Sequence, residues 1–182
     1  MKHLKRLLAL ALVAMLALSL FTACGGSDDE EPELDEGNRA VAGGSIDWPE
    51  GLDTTQRFAT QIAGDTLYAV FNGIQTRTTN YFVPAGDTIT LTGYSTTESE
   101  KRKEYRVTLW KESYTGREYV TDGTMYFTAD GSCYTGTFTG LVAGERYKVG
   151  LAYDGVSFYM SGGLSIGGLA QADDLDDSAA QE

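Results

Sequence analysis

The chain has 182 residues and a formal net charge of −12, from 14 basic and 26 acidic side chains. This balance disfavours nucleic acid as a partner, because nucleic-acid binding depends on a basic surface. The chain has one histidine, at position 3, and two cysteines, at positions 24 and 133. Position 3 lies in the segment interpreted below as a removed signal, so the exported chain would have no histidine, which excludes Ser-His-Asp and Cys-His catalysis and zinc sites built on imidazole. We predict no catalytic residue, no cofactor and no metal site, although a hydrolase that uses two carboxylates stays formally open.

The N-terminal segment has the pattern of an export signal. Lys2, Lys5 and Arg6 precede an uncharged apolar run over residues 7–23, which is shorter than the roughly 20 residues of a membrane-spanning helix. The sequence Leu-Phe-Thr-Ala-Cys that ends at Cys24 resembles the lipobox of bacterial lipoproteins. The resemblance implies a signal peptide over residues 1–23, a lipid on Cys24, and attachment to the extracytoplasmic side of the cell membrane. An uncleaved anchor helix and an ordinary signal peptide are the alternatives.

Acidic side chains are concentrated near the two ends of the exported chain. Without the three basic residues of the signal, 11 basic and 26 acidic side chains remain, a net charge of −15, and seven of the acids lie within residues 28–36. Blocks of like charge with few apolar residues stay extended and unfolded. We therefore predict a flexible acidic linker over residues 24–44 and a disordered acidic tail over residues 171–182. Binding of cations or of a basic partner is an alternative role for these acids.

The central part of the chain has the composition and periodicity of β structure. It contains many glycines, threonines and tyrosines, and polar and apolar residues alternate plainly in 88–92 and 105–110. Asp122-Gly123, Asp130-Gly131 and Asp154-Gly155 each separate two predicted strands, and Asp-Gly favours a two-residue hairpin turn. Strands at this spacing indicate a sandwich or a barrel. The predicted strands are 66–71, 88–92, 105–111, 118–121, 124–128, 134–139, 146–153, 157–160 and 164–166.

Three features bear on the extent of the domain. Residues 53–63 suit a short helix and a strand about equally. Trp48 and its apolar neighbours are expected to pack onto the domain, since a free linker rarely carries tryptophan, so the ordered domain is predicted over residues 45–170, enough for one core. Cys133 has no disulfide partner once Cys24 carries lipid, and we interpret it as a buried structural thiol, with a reactive thiol as the alternative. This single remaining cysteine also excludes thiolate metal clusters.

A stretch near the end of the domain resembles the E–F turn of fibronectin type III domains. That turn reads Leu-x-Pro-Gly-x-x-Tyr-x-Val, and residues 141–149 read Leu-Val-Ala-Gly-Glu-Arg-Tyr-Lys-Val, with Ala143 in place of the proline. The resemblance implies that Tyr147 forms a tyrosine corner, in which its hydroxyl bonds to the backbone a few residues upstream.

A second stretch extends this resemblance over residues 83–168. Residues 85–92 are similar to the second strand of immunoglobulin-like domains, although the usual cysteine is missing and Gly93 stands nearby. Residues 105–110 would then be the third strand. The resemblance implies an all-β fold, an Ig-like (fibronectin type III-like) antiparallel β-sandwich with one or two extra N-terminal strands. Jelly-roll topology is the alternative.

The turn predicted at Asp122-Gly123 identifies candidate ligand-binding residues. It would pair Tyr119 with Tyr126, and alternation of side chains would then place Val120, Met125 and Phe127 in the core. The opposite, solvent-facing side carries the candidate residues, Tyr119, Tyr126, Thr121 and Thr124. Two tyrosines side by side would form a stacking platform for a sugar. Alternatively they form a cross-strand pair that only stabilises the hairpin, by about 0.2–1 kcal/mol.

These observations lead to two main hypotheses of function. The first is an exported, lipid-anchored surface lipoprotein whose β-sandwich is a non-enzymatic binding or interaction domain for an envelope protein or surface ligand. The alternative is a carbohydrate-binding lipoprotein that uses exposed tyrosines. The predicted partners are the membrane, through the lipid on Cys24, and an envelope protein or a glycan.

Overall fold

The computed structural model describes residues 39–171. The signal segment, Cys24, residues 25–38 and residues 172–182 lie outside the described residues, as do the predictions that concern them. Residues 39–171 contain no helix that could span a membrane.

The described residues form two antiparallel sheets. Their strands are β1 (Val41–Ala42), β2 (Phe58–Ala63), β3 (Thr66–Ile74), β4 (Thr76–Thr78), β5 (Thr88–Thr97), β6 (Glu104–Ser113), β7 (Gly116–Thr128), β8 (Asp130–Thr139), β9 (Tyr147–Ala152) and β10 (Met160–Gly167). One sheet has six strands in the order β1-β8-β5-β10-β3-β2, and the other has four in the order β4-β9-β6-β7. The predicted all-β, antiparallel sandwich is confirmed.

The hydrophobic core lies between the two sheets. In β5 the side chains of Ile89 and Leu91 are buried and those of Thr88 and Thr90 are exposed, and β6 buries Tyr105, Val107 and Leu109 in the same alternating way. A strand with one face on a core and one in water has this period of two. Each large apolar side chain buried here contributes about 1.5–3 kcal/mol by leaving water.

The central strands are arranged as in immunoglobulin-like domains, and the last strand is not. β5 pairs with β8 and β6 pairs with β9, which matches the pairing of strands B with E and C with F. β10 instead lies between β5 and β3 in the six-stranded sheet, whereas the final strand of an immunoglobulin domain joins the sheet of C and F. With β3 to β10 taken as eight strands, the orders β8-β5-β10-β3 and β4-β9-β6-β7 are those of a jelly roll, so the alternative topology is the one observed, and β1 and β2 are added at the two edges of the larger sheet.

The tyrosine corner is confirmed. The backbone N–H of Val142 donates a hydrogen bond to the hydroxyl of Tyr147 at 3.1 Å, and the Tyr147 ring is buried. The turn between them contains Gly144 at φ +84°, a left-handed conformation that glycine adopts without steric cost.

The prediction that the three Asp-Gly sequences form hairpin turns was wrong. β7 runs without reversal through Asp122-Gly123, where only Asp122 has a left-handed backbone, at φ 55°, while a type I′ turn needs two such residues. Asp130-Gly131 and Asp154-Gly155 each lie where the chain crosses from one sheet to the other. The turn between β6 and β7 is Tyr114-Thr115, since Ser113 pairs with Gly116.

A bulge in β7 takes the place of the turn expected at Asp122. Trp110 on β6 pairs with Tyr119, and Thr108 pairs with Thr124, so Leu109 alone stands opposite residues 120–123 of β7. Backbone packs tightly inside the bulge, because a Cβ atom at Gly123 would lie 2.6 Å from the carbonyl oxygen of Val120. The extra residues let Tyr119 and Thr124 face the same side of the sheet.

Residues 53–63, for which the sequence left a short helix and a strand open, form a turn followed by a strand. The carboxylate of Asp53 accepts hydrogen bonds from the N–H of Thr55 at 2.9 Å and from its hydroxyl at 2.6 Å, and the Thr55 hydroxyl bond is the main cause that lowers the pKa of Asp53. Such a bond pattern favours a turn over a helix. β2 then begins at Phe58 and pairs with β3.

The ordered domain begins earlier than residue 45. Val41 and Ala42 form β1 on the edge of β8, and the N–H of Ala40 donates to the carbonyl of Tyr126 on β7 at 2.9 Å. Residues 39–44, assigned above to the flexible linker, therefore contact both sheets. Cys133 on β8 is half-buried rather than buried, and it forms no disulfide within the described chain.

Candidate functional site

The four predicted ligand-binding residues do not form one platform. The hydroxyls of Tyr119 and Thr124 lie 3.4 Å apart. Tyr126 pairs with Arg106, four residues along β6 from the partner of Tyr119, which separates the two tyrosines by about 13 Å. Thr121 lies exposed in the bulge. The proposed Tyr119–Tyr126 pair was wrong because β7 does not reverse at Asp122.

The prediction that Val120, Met125 and Phe127 face the core is confirmed. Met125 and Phe127 are buried, and Val120 packs against the core. The alternation within residues 124–128 follows from a core on one side only, whatever the strand does at residue 122. Because the bulge shifts the register between them, Tyr119 and Tyr126 both lie on the outer face, at separate places along it.

The ring that accompanies Tyr119 is Trp110. Their ring centroids are 5.8 Å apart and their planes are nearly perpendicular, at 73°. The guanidinium of Arg117 lies 4.4 Å from the centroid of Trp110. Tyr81 continues this outer face beyond β9, beneath Arg146 at 4.9 Å and Lys148 at 4.5 Å. We call the outer face formed by Tyr81, Trp110, Arg117, Tyr119, Arg146 and Lys148 the aromatic–cation face.

The outer face of the six-stranded sheet carries a different site, a groove of about 340 Å³. Trp48 and Tyr94 line it with exposed fractions of 39% and 40%. None of its lining residues is charged, and they are Trp48, Thr54, Val70, Asn72, Tyr94, Thr96, Ser161 and Gly162. We call this feature the sheet groove.

The sheet groove combines ring faces with amide and hydroxyl groups. Asn72 on β3 donates through its side-chain amide to the carbonyls of Thr54, at 3.1 Å, and Gln56, at 2.6 Å, which fixes its orientation. The hydroxyl of Ser161 accepts the N–H of Gly73 at 3.0 Å. Thr96, on the same face of β5 as Tyr94, adds another hydroxyl.

The segment before β2 holds Trp48 over the sheet. Trp48 lies across Gly163 of β10, where a Cβ atom would overlap the indole, and its ring centroid is 6.2 Å from that of Tyr68. The side-chain amide of Gln61 donates to the carbonyl of Glu50 at 3.2 Å and ties the segment to β2. The expectation that Trp48 packs onto the domain is confirmed.

Sequence reasoning missed the sheet groove because its residues come from separate strands. Trp48 lies in the irregular segment between β1 and β2 and gives no periodic signal, while Tyr94 continues the alternation of β5 beyond the predicted end at residue 92. Gly163 opposite Tyr94 was a usable clue, since a glycine inside a strand often marks close approach by another group.

A second groove, of about 460 Å³, lies between the loop of residues 98–102 and the loop of residues 155–158. Val156 and Phe158 are exposed on its rim, and Val156 has a left-handed backbone at φ 54°, which is unusual for a β-branched residue. The side-chain amide of Gln75 donates to the carbonyls of Val156, at 2.9 Å, and Phe158, at 3.0 Å, and holds the loop in this shape.

The ionisable groups with displaced pKa values lie outside the sheet groove. Burial raises the pKa of Tyr105 well above its usual range. Hydrogen bonds from the N–H of Ser132 and the hydroxyl of Tyr134 lower the pKa of Asp130, and the second of these bonds raises the pKa of Tyr134. Over residues 39–171, no three His, Cys, Asp or Glu side chains converge as metal ligands. The chemistry that the sheet groove offers is hydrogen bonding and contact with aromatic rings.

Comparison with known proteins gives a structural likeness and no match in sequence. No protein-family model matches the chain, and no curated protein matches it in sequence. The chain is similar to the CBM36-1 domain of a multidomain xylanase from the hindgut metagenome of Trinervitermes trinervoides, with a TM-score of 0.37 and 14% identity over 72% of this chain and 93% of that one. A likeness of this degree assigns neither a family nor a ligand.

Proposed function

We propose that this chain is an exported, lipid-anchored lipoprotein whose β-sandwich binds an uncharged carbohydrate in the sheet groove and has no catalytic activity. The observation that carries the proposal is the uncharged lining of the groove, with Trp48 and Tyr94 exposed beside amide and hydroxyl groups. A pyranose ring presents C–H groups on its faces and hydroxyls at its edge, so it fits ring contacts together with hydrogen bonds.

The carbohydrate would lie in the sheet groove across β3, β10 and β5. Val70, Gly163 and Tyr94 form one row across these strands, with Trp48 above Gly163. Asn72 and Thr96 lie further along the same face and supply polar groups on one side of the rings. An open groove of this kind suits an internal stretch of a polysaccharide, which needs no enclosed pocket for a chain end.

Binding to neutral polysaccharides tests this function. Affinity gel electrophoresis of the full-length chain in mild detergent, with glucan, mannan, xylan and galactan in separate gels, is expected to show retardation by at least one of them. Trp48→Ala and Tyr94→Ala should each weaken binding about tenfold or more, equivalent to about 1.4 kcal/mol. Tyr114→Ala, which removes a fully exposed ring at the β6–β7 turn, is the matched control and should bind normally. Binding that survives both groove variants would refute the assignment.

The anchor is tested separately. Cys24 lies behind a signal-like segment, and a lipoprotein of this kind carries diacylglycerol on that cysteine. Mass spectrometry of the membrane-extracted protein is expected to find an N-terminal, acylated Cys24. A mature protein that starts at another residue, or one with unmodified Cys24, would eliminate this part of the proposal.

Recognition of an envelope protein is a second candidate function, favoured by the loop of residues 154–159. Val156, Phe158 and Tyr159 are exposed there by 78%, 41% and 54%, on a backbone held by Gln75. Exposed apolar side chains on an ordered loop are typical of protein interfaces. Affinity capture from envelope extracts with the wild type and with Phe158→Ser is the test, and equal capture by both would exclude this loop.

A further inference from the structure

The aromatic–cation face is the outer face of the four-stranded sheet, whereas the sheet groove lies on the outer face of the six-stranded sheet. Unlike the sheet groove, this face carries charged side chains. Trp110 pairs with Tyr119 of β7 on one side and with Lys148 of β9 on the other, which gives a continuous row of side chains across three strands. Tyr81 extends the row, with Lys148 over its ring and its hydroxyl directed at the carbonyl of Gly116 at 3.5 Å.

Two of the three cations of this face are held by aromatic rings and have no acidic partner among the described residues. The carboxylate of Glu112 accepts from Arg146 at 2.9 and 3.2 Å, but Arg117 and Lys148 form no ion pair within the described part of the chain. A ring attracts a cation without neutralising it and accepts no conventional hydrogen bond from it. Arg117 and Lys148 are therefore fixed in position with donors available to an anion, and less conformational freedom is lost when that anion binds.

We propose that the aromatic–cation face binds an acidic polysaccharide, one that carries carboxylate or sulfate groups. Arg117 and Lys148 would bind the anionic groups, and the exposed ring of Tyr119 would contact a neighbouring sugar. A guanidinium donates two parallel hydrogen bonds to a carboxylate or a sulfate, which makes Arg117 the stronger contact.

Two features favour an acidic polysaccharide over a single-stranded nucleic acid. Nucleobases bind by stacking on free ring faces, and here cations lie over the rings of Trp110 and Tyr81. A nucleic acid also brings a phosphate at every nucleotide, which a chain with net charge −12 repels outside this small face. A polymer with sparser anionic groups meets the two unpaired cations without that repulsion.

Affinity electrophoresis with matched polymers tests the proposal on the full-length chain in mild detergent. The probes are partly methyl-esterified polygalacturonate, lightly sulfated dextran, neutral dextran and poly(dT), so that both acidic polymers carry sparser anionic groups than the nucleic acid. Retardation is expected with the esterified polygalacturonate, the lightly sulfated dextran or both, which separates the carboxylate from the sulfate ligand, and it should weaken as sodium chloride is added. The double variant Arg117→Gln/Lys148→Gln should weaken this binding about tenfold or more.

Two further double variants serve as controls. Arg57→Gln/Lys101→Gln changes the net charge equally at exposed positions outside this face, and it should keep affinity within about twofold. Arg117→Lys/Lys148→Arg keeps both charges and should retain most of the binding. An equal loss in the Arg57/Lys101 variant, stronger retardation by poly(dT), or no retardation by either acidic polymer would overturn the proposal. Trp48→Ala should leave acidic-polymer binding unchanged, so this result is independent of the sheet groove.

Discussion

At the scale of single residues, the absence of a side chain at Gly93 lets Tyr105 and Phe127 pack directly against the backbone of β5. A Cβ atom at this position would lie 2.7 Å from the hydroxyl oxygen of Tyr105 and 3.0 Å from Cδ1 of Phe127. We expect Gly93→Ala to lower the free energy of unfolding by about 1–3 kcal/mol, because an added methyl group in a packed core forces neighbours to move. Urea denaturation followed by tryptophan fluorescence measures this change.

The hydroxyl of Tyr105 provides the matching test. It is buried near the hydroxyl of Ser95, and neither hydroxyl has a hydrogen bond of ordinary length among the described residues. Tyr105→Phe therefore removes an unsatisfied group and should leave stability unchanged or raise it by up to about 1 kcal/mol. Combined with Gly93→Ala it should recover part of the lost stability. Tyr147→Phe, which breaks the bond from Val142, should instead cost about 1 kcal/mol. If Tyr105→Phe proves as costly as Tyr147→Phe, the Tyr105 hydroxyl has a partner.

Asp130 gives the fold a dependence on pH. Its carboxylate accepts from the N–H of Ser132 at 2.9 Å and the hydroxyl of Tyr134 at 2.8 Å, and these bonds lower its pKa below the ordinary 3.8. The resulting stability is complete above the unfolded pKa and is lost as pH falls through the lower, folded pKa. Asp130→Asn should therefore melt below the wild type at neutral pH, with a gap that closes as pH falls below about 4. A gap that stays constant down to about pH 2 would contradict this account.

At the scale of elements, the bulge in β7 joins the core to the aromatic–cation face. Gly123→Ala should lower the free energy of unfolding by about 1–3 kcal/mol, because its Cβ would meet the carbonyls of Val120 and Leu109. Asp122→Gly should be tolerated, since glycine adopts the left-handed backbone that Asp122 holds at φ 55°. Thermal melting of both variants measures the contrast. Similar melting temperatures for the two would refute the bulge geometry.

The strands that the sequence predicted well are those with one face on the core. Alternation in 88–92 and 105–110 reflects burial of every second side chain, which is a local property of the chain. The Asp-Gly turns failed because the pairing of a strand also depends on distant partners. β7 pairs with β6 along most of its length, and β8 pairs with β5 in the other sheet, so neither Asp122 nor Asp130 needs to reverse the chain.

The same reasoning explains how much of each site could be predicted from the sequence. The predicted turn at Asp122 placed Tyr119 and Thr124 on the same outer face, and they do share it, but a bulge in β7 and not a turn brings their hydroxyls 3.4 Å apart. The partner of Tyr119 could not be found, because Trp110 faces it only through a register shift of several residues. Trp48 and Tyr94 are 46 positions apart along the chain and meet only because β10 brings Gly163 beneath the indole.

At the scale of the whole molecule, the two outer faces of the sandwich carry opposite chemistries. The sheet groove has no charged lining residue, while the aromatic–cation face holds three cations against a chain that is acidic overall. The core separates the two faces, so a substitution on one side has no direct contact with the other. This separation is why Trp48→Ala and Arg117→Gln/Lys148→Gln should each remove one binding activity and preserve the other.

Residues 39–44 connect the edges of the two sheets and should stabilise the whole sandwich. Ala40 bonds to Tyr126 on β7, and Gly43 bonds to Cys133 and to the hydroxyl of Thr135 on β8 at 2.8 and 3.0 Å. A chain that starts at residue 45 should lose about 2–4 kcal/mol of unfolding free energy relative to one that starts at residue 39, from three or more lost hydrogen bonds. Arg39→Gln, which removes only the exposed ion pair with Glu104, should change stability by less than about 1 kcal/mol. Equal urea midpoints for the two truncated chains would show that the sheet edges hold together without this segment.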